Sequence, residues 1–123
     1  PNLIHPKSII LKNSKMGIGN IICAGAVVQI DVIIGNHCII NTNSSIDHES
    51  IIKDYCSVCP GVVICGNVKI DELTFIGANS TIIQCLTIGN NCIIGSGSNI
   101  IKNVDNNNKI VGNPGKKLNK KYV

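Results

Sequence analysis

A chain of 123 residues fits one domain with a single core, and with no Trp, one Phe and two Tyr that core has to be filled by Ile and Val, which favour pleated strands. Eleven Lys and no Arg stand against seven acidic residues, but Lys116, Lys117, Lys120 and Lys121 supply four of the positives; the neutral body lacks the basic stripe that a nucleic-acid surface needs. No apolar run approaches the length that spans a bilayer, and Pro1-Asn2-Leu3 is neither a signal peptide nor a native initiator, so a cytoplasmic protein with no membrane partner is expected.

From Ile4 onward every sixth residue is a large aliphatic: Ile4, Ile10, Met16, Ile22, Val28, Ile34, Ile40, Ile46, Ile52, Val58, Ile64, Ile70, Ile76, Ile82, Ile88, Ile94 and Ile100. With 44% of the chain apolar, an unbroken series of this kind arises by chance roughly once in a million. Four residues after each aliphatic the side chain is mostly small, as in Ser8, Ser14, Ala26, Cys38, Ser44, Ser50, Cys56, Val62, Thr74, Ser80, Cys92 and Ser98. Large and small inward residues two apart fit short strands of period two, and a break every six residues fits a turn. Gly17, Gly35, Asn41, Asp47, Asp71, Gly77, Gly89 and Gly95 directly follow the aliphatic and are expected to supply the unusual backbone angles of those turns.

Three such strands close a triangular coil of eighteen residues. Stacked at strand spacing, ~4.8 Å per coil, the chain predicts an all-β prism roughly 27 Å long over residues 1–105, followed by a tail over 106–123. Seven cysteines, an odd number without the paired spacings of a zinc site or a disulfide scaffold, read as reduced thiols, with Cys38, Cys56 and Cys92 among the small interior residues.

"SSIDHESIIKDYC", Ser44 to Cys56, puts His48 and Glu49 at an exterior turn. One coil further on stands Gly66. The imidazole therefore faces a residue without a side chain, leaving a gap with exposed backbone N–H groups. A base for an acceptor and donors for a developing oxyanion are what acyl transfer from a thioester requires, and Glu49 could fix the tautomer of His48. The plain alternative is an exposed histidine at a polar corner.

The [LIV]-G-x-x-x-x motif in "IGNHCI", "IGANST", "IGNNCI" and "IGSGSN" resembles that of the hexapeptide-repeat acyltransferases, whose fold is a left-handed parallel β-helix; the handedness comes from the resemblance and runs against the general rule for parallel crossovers. The stretch "IINTNSSIDHESIIKDYCSVCPGVVICGNVKI", Ile39 to Ile70, with "FIGANSTI" and "VGNPGKKL", is similar to the bacterial sialic acid O-acetyltransferase and UDP-amino-sugar N-acetyltransferase family. That resemblance implies His48 as general base, Glu49 as its partner, Gly66, Ala78 and Ser96 along the acetyl-CoA arm, and Asn41 near the acceptor. It also implies a homotrimer with the coenzyme between neighbouring prisms, a sugar or nucleotide-sugar acceptor, and no metal.

Two features depart from the family pattern. Ser57 occupies the position, nine after the first histidine, where a second active-site histidine is common; it joins the substrate-binding residues expected here, able to hydrogen-bond but not to titrate near neutrality. The family's N-terminal Rossmann-like domain would hand over to the β-helix at "PNLIHPKSII", which suggests either part of a longer protein or a stand-alone transferase domain.

Other readings of the same fold are a serine- or xenobiotic-type O-acetyltransferase, which usually extrudes a long loop, and a non-enzymatic β-helix scaffold, for which only Thr42, Thr74, Thr81 and Thr87 could form a threonine ladder. His5, His37 and His48 fall on three different positions of the coil and do not form a three-histidine metal edge. The outward column Ile21, Ile39, Ser57, Phe75, Ile93 is too apolar for water, and either a neighbouring subunit or the C-terminal segment would cover it. The tail "GKKLNKK" reads equally as a contact for the coenzyme's phosphates or as a solvated charge run.

Overall fold

A computed structural model describes residues 1–119; Lys120 and Lys121 lie outside them. Each of the seventeen sixth-position aliphatics closes one two-residue strand, from β1 (Leu3–Ile4) to β17 (Asn99–Ile100). Every third strand pairs in parallel at an offset of eighteen residues, as in Ser45↔Val63 and Ile46↔Ile64. Three parallel stacks result. Sheet A runs through β1, β4, β7, β10, β13 and β16; sheet B through β2, β5, β8, β11, β14 and β17; sheet C through β3, β6, β9, β12 and β15. The architecture is a three-sided β-helix of about six coils with three edges, which we name AB, BC and CA after the sheets they join. Among the described residues no helix is long and apolar enough to cross a membrane.

The aliphatics from Ile22 to Ile100 are at most 2% exposed and fill the prism axis. The second inward residue is buried as well, including Ala26, Cys38, Ser44, Ser50, Cys56, Val62, Thr74, Ser80, Cys92 and Ser98. Polar atoms can occupy this dry column only when paired. They are: Ser50 Oγ donates to Cys65 O at 3.0 Å, Thr74 Oγ1 to Gly89 O at 2.7 Å and Ser80 Oγ to Gly95 O at 2.9 Å. The buried thiols imitate them, with Cys38 Sγ 3.0 Å from Lys53 O and Cys56 Sγ 3.0 Å from Asp71 O. Burial pushes the Cys56 thiol up to about 12.

The expectation that residues directly after the aliphatic provide unusual backbone angles is corrected here. Left-handed φ values fall three residues after it, at Asn13, Asn43, Asn67, Asn79, Asn91, Gly25, Gly61 and Gly97, and also at His37, Glu49, Tyr55, Leu73 and Cys85. Glycine directly after the aliphatic serves clearance between coils. A Cβ on Gly77 would stand 2.6 Å from Ser96 N and 2.7 Å from Ile94 O.

After Ile100 the pattern skips two residues and resumes. Val104 bridges to Ile88, and β18 (Lys109–Val111) joins β16 through Ile94↔Ile110, each an offset of sixteen instead of eighteen. β19 (Lys116–Lys117) then pairs antiparallel with β18. This C-terminal hairpin extends sheet A and places Ile110, 8% exposed, over the end of the core. It does not lie on the outer face of sheet A, where Ile21, Ile39, Phe75 and Ile93 stay 36–45% exposed.

Candidate active site

The candidate site is built on edge BC, between β8 (Ser45–Ile46) and β9 (Ile51–Ile52). Asp47 opens the turn, its Oδ1 accepting the His48 N–H at 2.8 Å. Sequence reading singled out the two residues after it; the aspartate's bond is the local restraint that directs them outward, and the same device at Asn41, whose Oδ1 accepts the Thr42 N–H at 2.7 Å, was the available signal. Glu49 follows with φ 62°, and its backbone N–H donates to Ile30 O. Its carboxylate returns to the imidazole, Oε1 standing 3.2 Å from His48 Nδ1. Both side chains are accessible, His48 at 52% and Glu49 at 65%.

The other side of the ring lies over Gly66 as the eighteen-residue offset predicts. A Cβ there would meet His48 Nε2 at 2.5 Å and Cε1 at 2.7 Å. Gly66 O accepts from Cys85 N, while the Gly66 N–H has no acceptor among the described residues. A carboxylate on Nδ1 favours the tautomer with the proton on Nδ1 and a lone pair on Nε2. The arrangement therefore offers a hydrogen-bond acceptor beside a residue that has no side chain and whose N–H is unpaired among the described residues. Cys65 borders it, its thiol raised by burial and then by the Asp47 charge, which leaves it protonated and a poor nucleophile.

The other expected residues lie elsewhere on the prism. Asn41, Ala78 and Ser96 belong to edge AB, with Cys59 below Asn41. Ser57 begins β10 and faces outward from sheet A between Ile39 and Phe75. In a triangular coil edge BC is opposite sheet A, so one chain brings together His48, Glu49 and Gly66 but does not bring Asn41, Ser57, Ala78 or Ser96 to them. His5, His37 and His48 stand on edges AB, CA and BC.

Comparison with known proteins agrees with the fold. The family model described as "Bacterial transferase hexapeptide (six repeats)" matches residues 49–84 and 67–102. The acetyltransferase domain of PglB from Neisseria gonorrhoeae, solved in complex with acetyl coenzyme A, is 30% identical with a TM-score of 0.95 over 96% of this chain and 58% of its own. A perosamine N-acetyltransferase variant from Caulobacter crescentus, in complex with CoA and GDP-perosamine, is 27% identical with a TM-score of 0.95 over 97% of this chain and 57% of its own. The curated GDP-perosamine N-acetyltransferase of Escherichia coli O157:H7 is 30% identical over 80 residues, 65% of this chain and 36% of that protein. The chain thus spans between a fifth and somewhat over a third of the curated relatives it matches and somewhat over half of the two solved chains named above. An unbroken six-residue repeat, a three-sided parallel prism and these matches place the chain in the hexapeptide-repeat family of bacterial transferases, as a left-handed parallel β-helix.

Proposed function

We propose that the chain is the catalytic β-helix of an acetyl-CoA-dependent sugar acetyltransferase, with an amino-sugar nucleotide or a sialic acid as acceptor and His48 as general base. The observation that carries this reading is the imidazole held by Glu49 at Nδ1 and poised by Nε2 over side-chain-free Gly66. A shelf that any Cβ would fill suits the close passage of a thin acyl-thioester arm. Acetyl-CoA supplies an acyl carbon already activated as a thioester.

His48 Nε2 takes the proton of the acceptor's amine or hydroxyl as that atom bonds to the acyl carbon. The carbon–sulfur bond then breaks, and the proton passes from Nε2 to the departing thiolate. Glu49 stabilises the imidazolium between the two transfers, and the Gly66 N–H faces the carbonyl oxygen as charge develops on it. The perosamine enzyme bound to CoA and GDP-perosamine supports a nucleotide-linked amino-sugar as the acceptor class.

The working unit in this proposal is a homotrimer in the cytoplasm. The exposed Ile21, Ile39, Phe75 and Ile93 form an apolar column, interrupted only by Ser57, that a neighbouring prism would cover. A neighbour would also bring its edge AB, with Asn41, Ala78 and Ser96, toward an edge BC that the same chain's edge AB cannot reach. Seven free cysteines suit a reducing compartment.

The test is turnover of His48→Ala with acetyl-CoA and a UDP-4-amino-sugar, then a sialic acid. A fall of ~10²–10⁴-fold is expected, with coenzyme affinity and melting temperature nearly unchanged because the ring packs outside the core. Wild-type turnover in that variant on a confirmed substrate would overturn the assignment. Sedimentation at micromolar concentration should show a trimer; a well-behaved monomer would remove the intersubunit part.

A further inference from the structure

We infer that edge CA is the ridge along which three copies of this chain meet, with edge AB left open on the outside of the assembly; this rests on the homotrimer proposed above and names the surface that closes it. The third residue of each turn has left-handed φ, and along edge AB that position is held by Gly or Asn, from Gly25 through Asn43, Gly61 and Asn79 to Gly97. Edge CA departs from this on three successive coils, with His37, Tyr55 and Leu73 at φ 55°, 59° and 61°. Bulky side chains are strained there, and Gly19, Asn91 and Asn107 on the same edge show that the fold does not require them. Burial does not explain them either, since Tyr55, Leu73 and the neighbouring Ile18 are 57–61% exposed. The His37 ring stacks on that of Tyr55, centroids 5.3 Å apart and planes 19° from parallel, and it lies across Gly19, where a Cβ would strike it. An ordered apolar ridge is thus presented to solvent at a cost in backbone strain.

Area and shape select the occupant. At ~200 Å² for a fully exposed large apolar side chain, the sheet A column of Ile21, Ile39, Phe75 and Ile93 exposes roughly 330 Å², within what a monomer ordinarily leaves in water. The ridge runs beside that column, His37 standing two residues before Ile39, Tyr55 two before Ser57 and Leu73 two before Phe75. With Ile18, Tyr55 and Leu73 added, the patch reaches roughly 700 Å², beyond the ordinary monomer range and close to the ~800 Å² that each side of a stable interface buries. A convex ridge cannot enclose a small molecule or a chain segment as a groove does. It is covered over its whole length only by surfaces equally long, and parallel copies of this prism supply them. The adjacent acids do not oppose this contact: Asp54 and Glu72 are half-buried, and Asp54 Oδ1 turns back to accept the Asn36 N–H at 2.9 Å. Edge AB offers no such ridge, its turns carrying the smaller Ala24, Thr42, Ala78 and Ser96. Closure along edge CA therefore turns sheet A toward the next copy and leaves edge AB outward, beside the neighbour's edge BC.

Sedimentation of the full chain tests this. Tyr55→Asp combined with Leu73→Asp should raise the concentration at which the trimer dissociates on the order of 100-fold, because two central apolar side chains are lost and like charges gather about one axis. Asp tolerates left-handed φ, so an unchanged circular dichroism spectrum is expected and shows that the prism still folds. Val63→Asp, at an exposed position on the outer face of sheet B, should leave the trimer intact. In a second measurement, Leu73→Cys chains with the exposed Cys85 replaced by Ser should be linked into dimers by a short bismaleimide, since parallel copies meet at equal heights along the ridge. A double variant as trimeric as the wild type would overturn the inference while leaving the homotrimer and the transferase chemistry standing, and so would a trimeric Leu73→Cys chain that fails to cross-link. Dissociation by Val63→Asp alone would move the contact to sheet B and overturn it too. A monomeric wild type would remove both the inference and the homotrimer.

Discussion

Replacing Gly66 by alanine separates the chemistry of edge BC from its stability. The new Cβ would lie 2.5 Å from His48 Nε2, 2.7 Å from Cε1 and 3.2 Å from Cδ2. Ordinary van der Waals contact needs about 3.4 Å or more, so the ring has to move by roughly 1 Å. It can do so cheaply, because half of the imidazole faces solvent and Glu49 is more exposed still. Gly66 is not among the glycines with left-handed φ, and removing glycine from the unfolded ensemble contributes about 0.4–1 kcal/mol in favour of the fold. Displacement of a catalytic group by ~1 Å costs about 10²-fold in rate, equivalent to ~2.7 kcal/mol of transition-state stabilisation. Gly66→Ala should therefore lower kcat/KM about 100-fold, with a melting temperature within a few degrees of wild type, and Gly66→Val should be worse. The assay is release of free coenzyme A thiol with a confirmed acceptor, beside a thermal melt followed by circular dichroism. Unchanged turnover would refute the role of the bare shelf under the imidazole.

Gly77→Ala should behave in the opposite way: its Cβ would strike Ser96 N at 2.6 Å, Ile94 O at 2.7 Å and Gly95 C at 2.9 Å, all backbone, so a loss of about 2 kcal/mol or more is expected in denaturant unfolding. Glu49→Asn should raise stability by about 0.5–1 kcal/mol while lowering turnover, because φ 62° suits Asn better than Glu and the shorter side chain abandons Nδ1; both effects are read from melts and kinetics on one preparation. Alkaline pH should weaken the fold through Cys56. Its folded value of about 12 lies above the ordinary 9.0, so the unfolded thiol ionises first, and stability falls by up to ~1.4 kcal/mol per unit between pH 9 and 12; a Cys56→Ser variant should show a shallower decline in a pH series of urea melts.

The prism was legible because its signal is redundant. Seventeen aliphatics at one period identify both the inward face and the strand ends, and a large residue displaced from that series would leave a visible gap. Handedness was not contained in the pattern, since a period of six closes a triangle in either sense. The turns were half legible. Asn at 43, 67, 79 and 91 could have marked the left-handed position, but Glu49, Tyr55 and Leu73 occupy it too, and the stack of coils imposes φ there whatever the side chain. Glycines one residue past the aliphatic drew attention instead, although their role is clearance. The end of the helix was hidden by a two-residue skip, which moves the inward series to Val104 and Ile110.

At the site, the offset of eighteen was enough to set His48 over Gly66, and adjacency was enough to pair it with Glu49. The arithmetic that found Gly66 also separates the remaining residues: Asn41 precedes His48 by seven and Ser57 follows it by nine, neither near a multiple of eighteen. Local sequence similarity groups them, but the coil distributes them over another edge and an outward face.

The central claim is that acetyl transfer takes place on edge BC at His48. A crystal structure of the chain with acetyl-CoA and an amino-sugar nucleotide tests it most directly. The account predicts the thioester against Gly66 and the acceptor nitrogen or oxygen about 2.6–3.2 Å from His48 Nε2. A thioester bound at edge CA, or on edge AB with no edge BC from a neighbouring chain beside it, would contradict it.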